Sequence, residues 1–306
     1  MNIVFVVNNK NGGLAAELPK LEQYCQQKNL RDVRFIPTRW KKHAIEIAKE
    51  ATGDGCSHVI AVGGDGTLHE VINGILQSNI SANEYPIIGL LPYGSANDFA
   101  RTVGLSNSLE ELLQLIQSHT TQEIDLGKVV FSKNQETHYF INVTGVGLGA
   151  LVIQKLERSS NSLSPSLNYF IYIVKGFISY AKKKVKVKSD SWHWRGKLLQ
   201  MVIANGRYFG NAICATPDAK LIDGQFQVAI FGNLSIWDYL KNLIKLKTGE
   251  KIKHPEVSYY TTKEVLIESS DSCGIEADGE YLGLAPAAIS VLPKAISFLM
   301  PPKPVR

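Results

Sequence analysis

Apolar runs and turn clusters alternate along the first hundred residues. Ile3-Val4-Phe5-Val6-Val7 is an unbroken run rich in β-branched residues, the pattern of a strand buried on both faces. It ends in the turn-rich Asn8-Asn9-Lys10-Asn11-Gly12-Gly13. Helical spacing follows from Leu14 to Lys28, then a short strand over Val33 to Ile36 and a helix from Lys42 to Ala51. His58 to Val62 predicts another buried strand, leading through Gly63-Gly64-Asp65-Gly66-Thr67 into a helix from near Leu68 to Leu76. Pro86 to Leu91 repeats the theme and ends in Pro92-Tyr93-Gly94-Ser95-Ala96-Asn97-Asp98. Such alternation implies right-handed crossovers and a parallel sheet, whose ligands bind at the carboxyl ends of the strands.

From about Ile124 the texture changes. Val129 to Phe131, Tyr139 to Val143, Leu199 to Ala204, Phe226 to Phe231, Val265 to Ile267 and Ala288 to Leu292 are short apolar runs spaced by turns. They read as strands of an antiparallel sandwich or barrel, interrupted by one helical insertion over Leu167 to Lys183. The fold class is therefore α/β plus all-β: an N-terminal Rossmann-like α/β domain over 1–123, then an antiparallel β-sandwich over 124–292. A length of 306 residues suits two such domains.

Thirty-three Lys and Arg against 28 Asp and Glu give a net charge of +5, spread too evenly for a nucleic-acid footprint but suited to an anionic membrane surface. The four cysteines form no C-x-x-C pair, and His69-Glu70 lacks the second histidine of H-E-x-x-H, so zinc and redox motifs are excluded. Met1-Asn2 leads into the first strand without a basic n-region, and Leu167 to Tyr180 falls short of the ~20 apolar residues that span a bilayer. The expected location is the cytoplasm, peripheral to a membrane.

Three glycine-rich loops offer themselves for ligand binding. Gly145-Val146-Gly147-Leu148-Gly149-Ala150 fits G-x-G-x-x-A, but nothing acidic lies between Glu157 and Asp190 to hold a ribose. Gly89 to Ser95 outlines a phosphate loop without its lysine. Gly63-Gly64-Asp65-Gly66-Thr67 joins a buried strand to a helix N-terminus, where glycine lets the backbone approach a phosphate and the helix adds positive partial charge. Thr67 suits a cap or an oxygen contact, and Asp65 suits a divalent cation beside that phosphate. A plain glycine turn with Asp65 exposed is the competing reading.

The stretch Gly63 to Gly74, reading GGDGTLHEVING, resembles the diacylglycerol kinase catalytic-domain family in its bacterial lipid kinase branch. Pro92-Tyr93-Gly94-Ser95-Ala96-Asn97-Asp98-Phe99-Ala100-Arg101 is similar to that family's P-x-G-[ST]-x-N-D-F-A-R block. Asn205 to Gly210, Pro217-Asp218-Ala219 with Asp223-Gly224, and Asp278-Gly279-Glu280 resemble its later motifs in the same order. The resemblance implies an α/β domain similar to phosphofructokinases and NAD kinases, ATP bound between it and a β-sandwich, and a return of 293–306 to the first domain.

By the same resemblance, Gly63, Gly64, Asp65, Gly66, Thr67, Leu68, His69 and Glu70 hold ATP phosphates. Ser95 stands where the family has a nucleotide-contacting threonine, and Asn97 and Asp98 belong to the same block. Thr38 matches another such threonine, and an ordinary helix N-cap remains open for it. Glu280 is implied as proton acceptor for a lipid hydroxyl, with Asp278 essential beside it. A polar hairpin tip is the alternative. Lys220, Asp223 and Gln225 resemble a structural Mg²⁺ loop built from one carboxylate and two backbone carbonyls, against a type I turn at Asp-Gly. Asn9 departs from the family's usual proline, and Asn211-Ala212 departs from its glycines, which bears on the substrate.

The implied activity is an ATP- and Mg²⁺-dependent lipid kinase acting on a diacylglycerol, phosphatidylglycerol or sphingoid-type hydroxyl. An NAD kinase-like enzyme and a non-catalytic nucleotide-gated lipid-binding module are the alternatives. The partners expected are a membrane lipid substrate and an anionic membrane, with room for a homodimer and no nucleic acid. Lys182-Lys183-Lys184-Val185-Lys186-Val187-Lys188 reads either as an edge strand with its lysines outward or as a foot on anionic lipid.

Overall fold

The computed structural model describes residues 1–9, 18–28, 30, 32–158 and 165–302. Lys10 to Gly13, the expected helix start at Leu14 and the tail after Pro302 lie outside the described residues. The chain forms two compact units, one of 1–124 with 294–306 and one of 125–293.

In the first unit, β1 (Ile3–Val7), α1 (Leu18–Gln27), β2 (Val33–Pro37), α2 (His43–Gly53), β3 (His58–Gly63), α3 (Asp65–Leu76) and β4 (Ile87–Pro92) alternate. Two short helices follow, α4 (Asp98–Val103) and α5 (Leu109–Gln117). The strands pair in parallel in the order β2-β1-β3-β4. Every residue of β1 and β3 is buried, as their continuous apolar runs require. On one face Ile3, Phe5, Val7, Ile60 and Val62 meet Leu112, Leu113 and Ile116 of α5. Each such side chain contributes roughly 1.5–3 kcal/mol on burial.

The second unit contains β5 (Thr121–Phe131), β6 (Thr137–Phe140), β7 (Val143–Gly147), α6 (Leu148–Glu157), α7 (Pro165–Ser179), β8 (Lys183–Ser189), β9 (His193–Leu198) and β10 (Gln200–Ala204). It continues with β11 (Phe226–Phe231), α8 (Ile236–Thr248), β12 (Val257–Thr262), β13 (Glu264–Ser269), β14 (Gly274–Ala277), β15 (Glu280–Leu284) and β16 (Ala287–Leu299). One antiparallel sheet runs β12-β11-β10-β7-β14-β15. A second has β16, β13, β8 and β9 in succession. Side chains of both sheets, among them Val146, Met201 and Ile275 with Val185, Val265 and Ile289, share one sandwich core. The last part of β16, from Lys294 on, belongs to the first unit, and there Phe298 pairs in parallel with Ile88 of β4. The sequence expectation of α/β followed by an antiparallel sandwich matches this architecture.

Several local expectations change. Tyr139 to Val143 is not one strand but the end of β6 and the start of β7, because Ile141 and Asn142 turn between them. Two helices, α6 and α8, join the single expected insertion. The lysine-rich β8 is not an edge strand, since β13 and β9 flank it. Its valines are buried as alternation predicts.

A hairpin closes the second unit's main sheet at β14 and β15. Its two-residue turn, Asp278-Gly279, has φ of 48° and 86°, the positive values that the tight mirror-image turns demand. The Asp278 carboxylate accepts hydrogen bonds from three consecutive amides, Ile141 at 2.9 Å, Asn142 at 3.1 Å and Val143 at 2.9 Å. Its own amide donates to the Val143 carbonyl at 2.9 Å. Beside it Glu276 is buried, accepts from the Gly279 amide, and is pushed up to about 8 by desolvation, with the Asp278 charge adding to the rise.

Unfolding frees Glu276 to lose its proton at the ordinary carboxylate value, about 4.3. Between that value and the folded one near 8 the unfolded chain binds fewer protons, so wild-type stability falls as pH rises. Glu276→Gln keeps the shape and removes the titration. Its melting temperature relative to wild type is expected to rise from about pH 5 to about pH 8 and then level. A thermal scan series finding a pH-independent offset would contradict the burial of a protonated Glu276.

Candidate functional site

The strand order β2-β1-β3-β4 reverses direction at β1, so the crevice between the carboxyl ends of β1 and β3 is the unit's topological switch point. Asn8 after β1, Thr38 after β2, Gly64 after β3 and Gly94 after β4 leave the sheet on this one edge. The Asn8 amide side chain donates to the Thr67 hydroxyl at 2.9 Å, which bridges the crevice. The Thr38 hydroxyl accepts from the Asn9 amide at 3.1 Å while its own amide donates to the Val7 carbonyl. Thr38 is therefore no helix cap, because α2 starts five residues later at His43. Asn8 was not legible as a partner of Thr67, since the two are 59 residues apart.

Helix α3 begins at Asp65, not near Leu68, so the glycine stretch is the first helical turn itself. Thr67 and Leu68 amides already donate to the Gly64 carbonyl, at 3.0 and 3.1 Å. Amides ahead of those have no intrahelical acceptor, the property that makes a helix start receptive to anions. Asp65 does not stand as a bare carboxylate awaiting a cation. Its two oxygens accept from the Asp98 and Phe99 amides at 3.0 and 2.9 Å, clasping the start of α4. Glu70 does likewise for α2, accepting from Lys42 and Ala44 at 3.2 and 3.3 Å. Leu68 and His69 are buried. Side chains from Leu68 to Glu70 are thus committed inside the unit.

The glycines separate into two kinds. A Cβ on Gly64 would lie 2.9 Å from the Gly94 Cα, and one on Gly94 would lie 2.3 Å from the Gly64 Cα. The two loops touch through their backbones and both need glycine. A Cβ on Gly63 would strike the Thr67 hydroxyl at 2.4 Å, and one on Gly74 the Ile45 carbonyl at 2.3 Å. Gly66 differs: a Cβ there meets nothing within 4 Å, its φ is not positive, and it is exposed. Nothing in the chain itself asks for glycine at 66. The facing loop is preorganised, since Asn97 at φ 50° bonds both the amide and the carbonyl of Gly94, at 2.9 and 2.8 Å. That ring leaves Ser95 exposed at the loop's tip and Asp98 buried at the start of α4.

In the second unit Glu280 opens β15, half-buried, immediately after the clamped turn. Residue 276 had no sequence signal, because β14 buries Ile275, Glu276 and Ala277 consecutively and breaks the alternation that would expose it. Asp125, likewise unanticipated, is 1% exposed and accepts from the Gly224 amide at 2.7 Å. Its own amide donates to the Leu221 carbonyl at 2.7 Å, which pins the Lys220 to Gln225 loop. Asn205 donates to the Asp125 and Ile141 carbonyls at 2.7 and 2.8 Å, so the Asn205-Gly206 block ties this loop's anchor to the segment held by Asp278.

Asp223 is exposed and accepts from the Gln225 amide at 3.3 Å within its own turn. One such carboxylate with the Lys220 and Gln225 carbonyls is a hard-oxygen set, the kind Mg²⁺ takes while keeping waters, so the residues fit that ion. Among the described residues no three His, Cys, Asp or Glu side chains cluster to hold a metal. The Gly145 motif does connect a strand to a helix, but β7 is antiparallel to both neighbours. Its glycines answer to packing instead, with a Cβ on Gly145 falling 2.2 Å from the Glu276 carboxyl and one on Gly147 2.5 Å from the Leu199 carbonyl.

The model of the diacylglycerol kinase catalytic domain matches residues 2–129, and that of the YegS C-terminal NAD kinase beta sandwich-like domain matches residues 142–300. The lipid kinase YegS of Escherichia coli (strain K12) is 28% identical over 293 residues, which cover 95% of this chain and 94% of that one. A relative from Escherichia fergusonii is 30% identical over 268 residues, covering 87% and 86%. A solved structure from Bacillus anthracis str. Sterne superposes with a TM-score of 0.77 at 22% identity, covering 98% of this chain and 97% of the other. Another from that organism, described as a diacylglycerol kinase, gives 0.70 at 20% with the same coverage. The matches run along nearly the whole length of this chain and of its relatives, and the chain belongs to the diacylglycerol kinase catalytic-domain family, in the branch with the YegS-type C-terminal domain.

Proposed function

We propose that the protein is a lipid kinase that transfers the γ-phosphoryl group of ATP to the hydroxyl of a membrane lipid. Gly66 carries this reading. Gly63, Gly64 and Gly74 of the α3 motif and Gly94 of the facing loop each lie too close to a neighbour in the chain for a Cβ, whereas Gly66 faces open space at a helix N-terminus. Space kept clear of side chain beside first-turn amides suits close approach by a phosphate. Family membership and relatives named as lipid kinases support the reaction class.

In this reading the first-turn amides of α3 and the Ser95 hydroxyl hold phosphate oxygens. Glu280 accepts the proton of the lipid hydroxyl as that oxygen bonds to the γ-phosphorus. The bond from the γ-phosphorus to the bridging oxygen breaks, and ADP leaves with the electron pair. Asp278 is spent on three amides and serves to position Glu280. Mg²⁺, when bound, neutralises charge developing on the phosphate oxygens. Diacylglycerol, phosphatidylglycerol and sphingoid bases all present a hydroxyl that fits this chemistry.

Incubation with γ-labelled ATP, Mg²⁺ and mixed micelles of these lipids is expected to move label into the organic extract. A parallel incubation with NAD that takes up label, with none in lipid, would replace the reading with the NAD kinase alternative. Glu280→Gln is expected to lower turnover by about 100-fold or more while nucleotide affinity and melting stay at wild-type values. Turnover within a few-fold of wild type would remove Glu280 as proton acceptor.

Gly64→Ala and Gly66→Ala separate scaffold from ligand contact. The first is expected to lower stability by about 1–3 kcal/mol, since Gly94 must move. The second is expected to leave melting unchanged and to weaken ATP binding roughly tenfold, a loss of about 1.4 kcal/mol. Calorimetric titration showing wild-type ATP affinity in Gly66→Ala would contradict a phosphate at that amide.

A further inference from the structure

Helix α8 packs Leu246 and Tyr239 against the core and carries a second apolar stripe outward. Its exposed residues, Trp237, Leu240, Lys241, Ile244, Lys247 and Thr248, lie at helical spacing on one side and so form one stripe along the helix. Trp237 is 68% exposed and Ile244 76%, where a surface helix ordinarily presents polar groups. Leu246, on the other side, is buried. The neighbouring α7 is likewise apolar on both sides, with Ile173 in the core and Leu167, Phe170 and Ile178 outward, Ile178 81% exposed. Phe177 and Tyr239, ring centroids 5.3 Å apart, join the two helices. Together they present large apolar side chains on adjoining helices, more than isolated exposed residues would produce.

Charge selects the occupant. The charged residues exposed on these two helices are Lys175, Lys241 and Lys247, all cationic. The acidic residue of α8, Asp238, is turned into the helix cap, accepting from the Ser235 amide at 2.9 Å and from its hydroxyl at 2.7 Å. Apolar side chains ringed by lysines, with a tryptophan at the helix start, match the boundary between headgroups and acyl chains of an anionic bilayer. The lysines of β8 fit that role less well. Lys186 lies opposite Glu268 in the sheet register, and the valines between the lysines are buried.

The geometry points to the α7–α8 face as a docking surface for an anionic lipid bilayer, into which Trp237, Leu240, Ile244 and Ile178 insert while Lys175, Lys241 and Lys247 meet anionic headgroups. It deepens the lipid kinase reading and rests on it only for the expectation that the substrate lies in a membrane.

Co-sedimentation of the full chain with vesicles of phosphatidylglycerol and phosphatidylcholine, or of phosphatidylcholine alone, tests it. Wild type is expected to partition onto the phosphatidylglycerol vesicles and to be released as salt is raised. Trp237→Ser with Ile244→Ser should cut the bound fraction at least tenfold, and Lys241→Glu with Lys247→Glu should abolish the preference for anionic vesicles. Melting should be unchanged in both, because these side chains bury little in the fold. Wild-type protein that ignores both vesicle types, or a Trp237→Ser, Ile244→Ser variant that binds like wild type, would overturn the proposal. So would a wild-type dimer in sedimentation equilibrium that the same pair of substitutions dissociates, since the face would then belong to a second copy. Phosphorylation of a dispersed short-chain diacylglycerol, a monomer in solution, separates the two readings. Both variants should retain whatever activity wild type shows on it or on dispersed short-chain phosphatidylglycerol or sphingoid base, and absence of activity on all three in wild type would count against the kinase reading while leaving the vesicle result standing.

Discussion

Three consecutive amides, of Ile141, Asn142 and Val143, converge on the single carboxylate of Asp278. Hydrogen bonds to a charged acceptor contribute about 1.5–3 kcal/mol each, and a buried amide left without a partner costs about as much. The two residues between β6 and β7, with Val143 at the start of β7, would otherwise leave these amides without that acceptor. The clamp therefore fixes the start of β7 and the Asp278-Gly279 turn against each other, and the turn fixes where Glu280 begins. Glu276 shares the neighbourhood at the cost of staying protonated, since a second charge beside Asp278 in a desolvated position is disfavoured.

The first unit uses the same device. Asp65 holds the first two amides of α4, and Glu70 holds amides at the start of α2. Helix α3 thus anchors two other helices through acids that its own N-terminal half supplies. Close contact of Gly64 with Gly94 then sets the distance between the two loops. Acids in a glycine-rich motif need no cation to justify them when backbone amides already bond them. What remains for a ligand is the part of the motif with no internal partner to explain it, and that part is Gly66.

Much of the architecture was legible because the patterns are one-dimensional. Continuous β-branched runs announced β1 and β3, and turn spacing announced β10 and β11 nearly to the residue. The α3 boundary was misjudged because Asp65 and Gly66 read as loop residues, whereas Asp65 caps a different helix. Helix α8 escaped notice because its apolar residues lie on two sides, Leu246 and Tyr239 toward the core and Trp237, Leu240 and Ile244 toward solvent, so they show no single helical stripe. The roles of Asp65, Glu70 and Asp278 could not be read from the chain. They depend on amides up to 137 residues away, and an acid in a motif looks the same whether it reacts or clasps backbone. Asp125 and Glu276 gave no signal for the same reason.

Hydrogen exchange at the amides of Ile141, Asn142 and Val143, in wild type and in Asp278→Ala, tests the clamp most directly. Loss of the carboxylate should raise exchange at these three positions by orders of magnitude, while amides of β1 and β3 in the first unit keep their protection. Unchanged protection at 141–143 would mean that these amides are held by something other than Asp278, and the account of how Glu280 is positioned would fall with it.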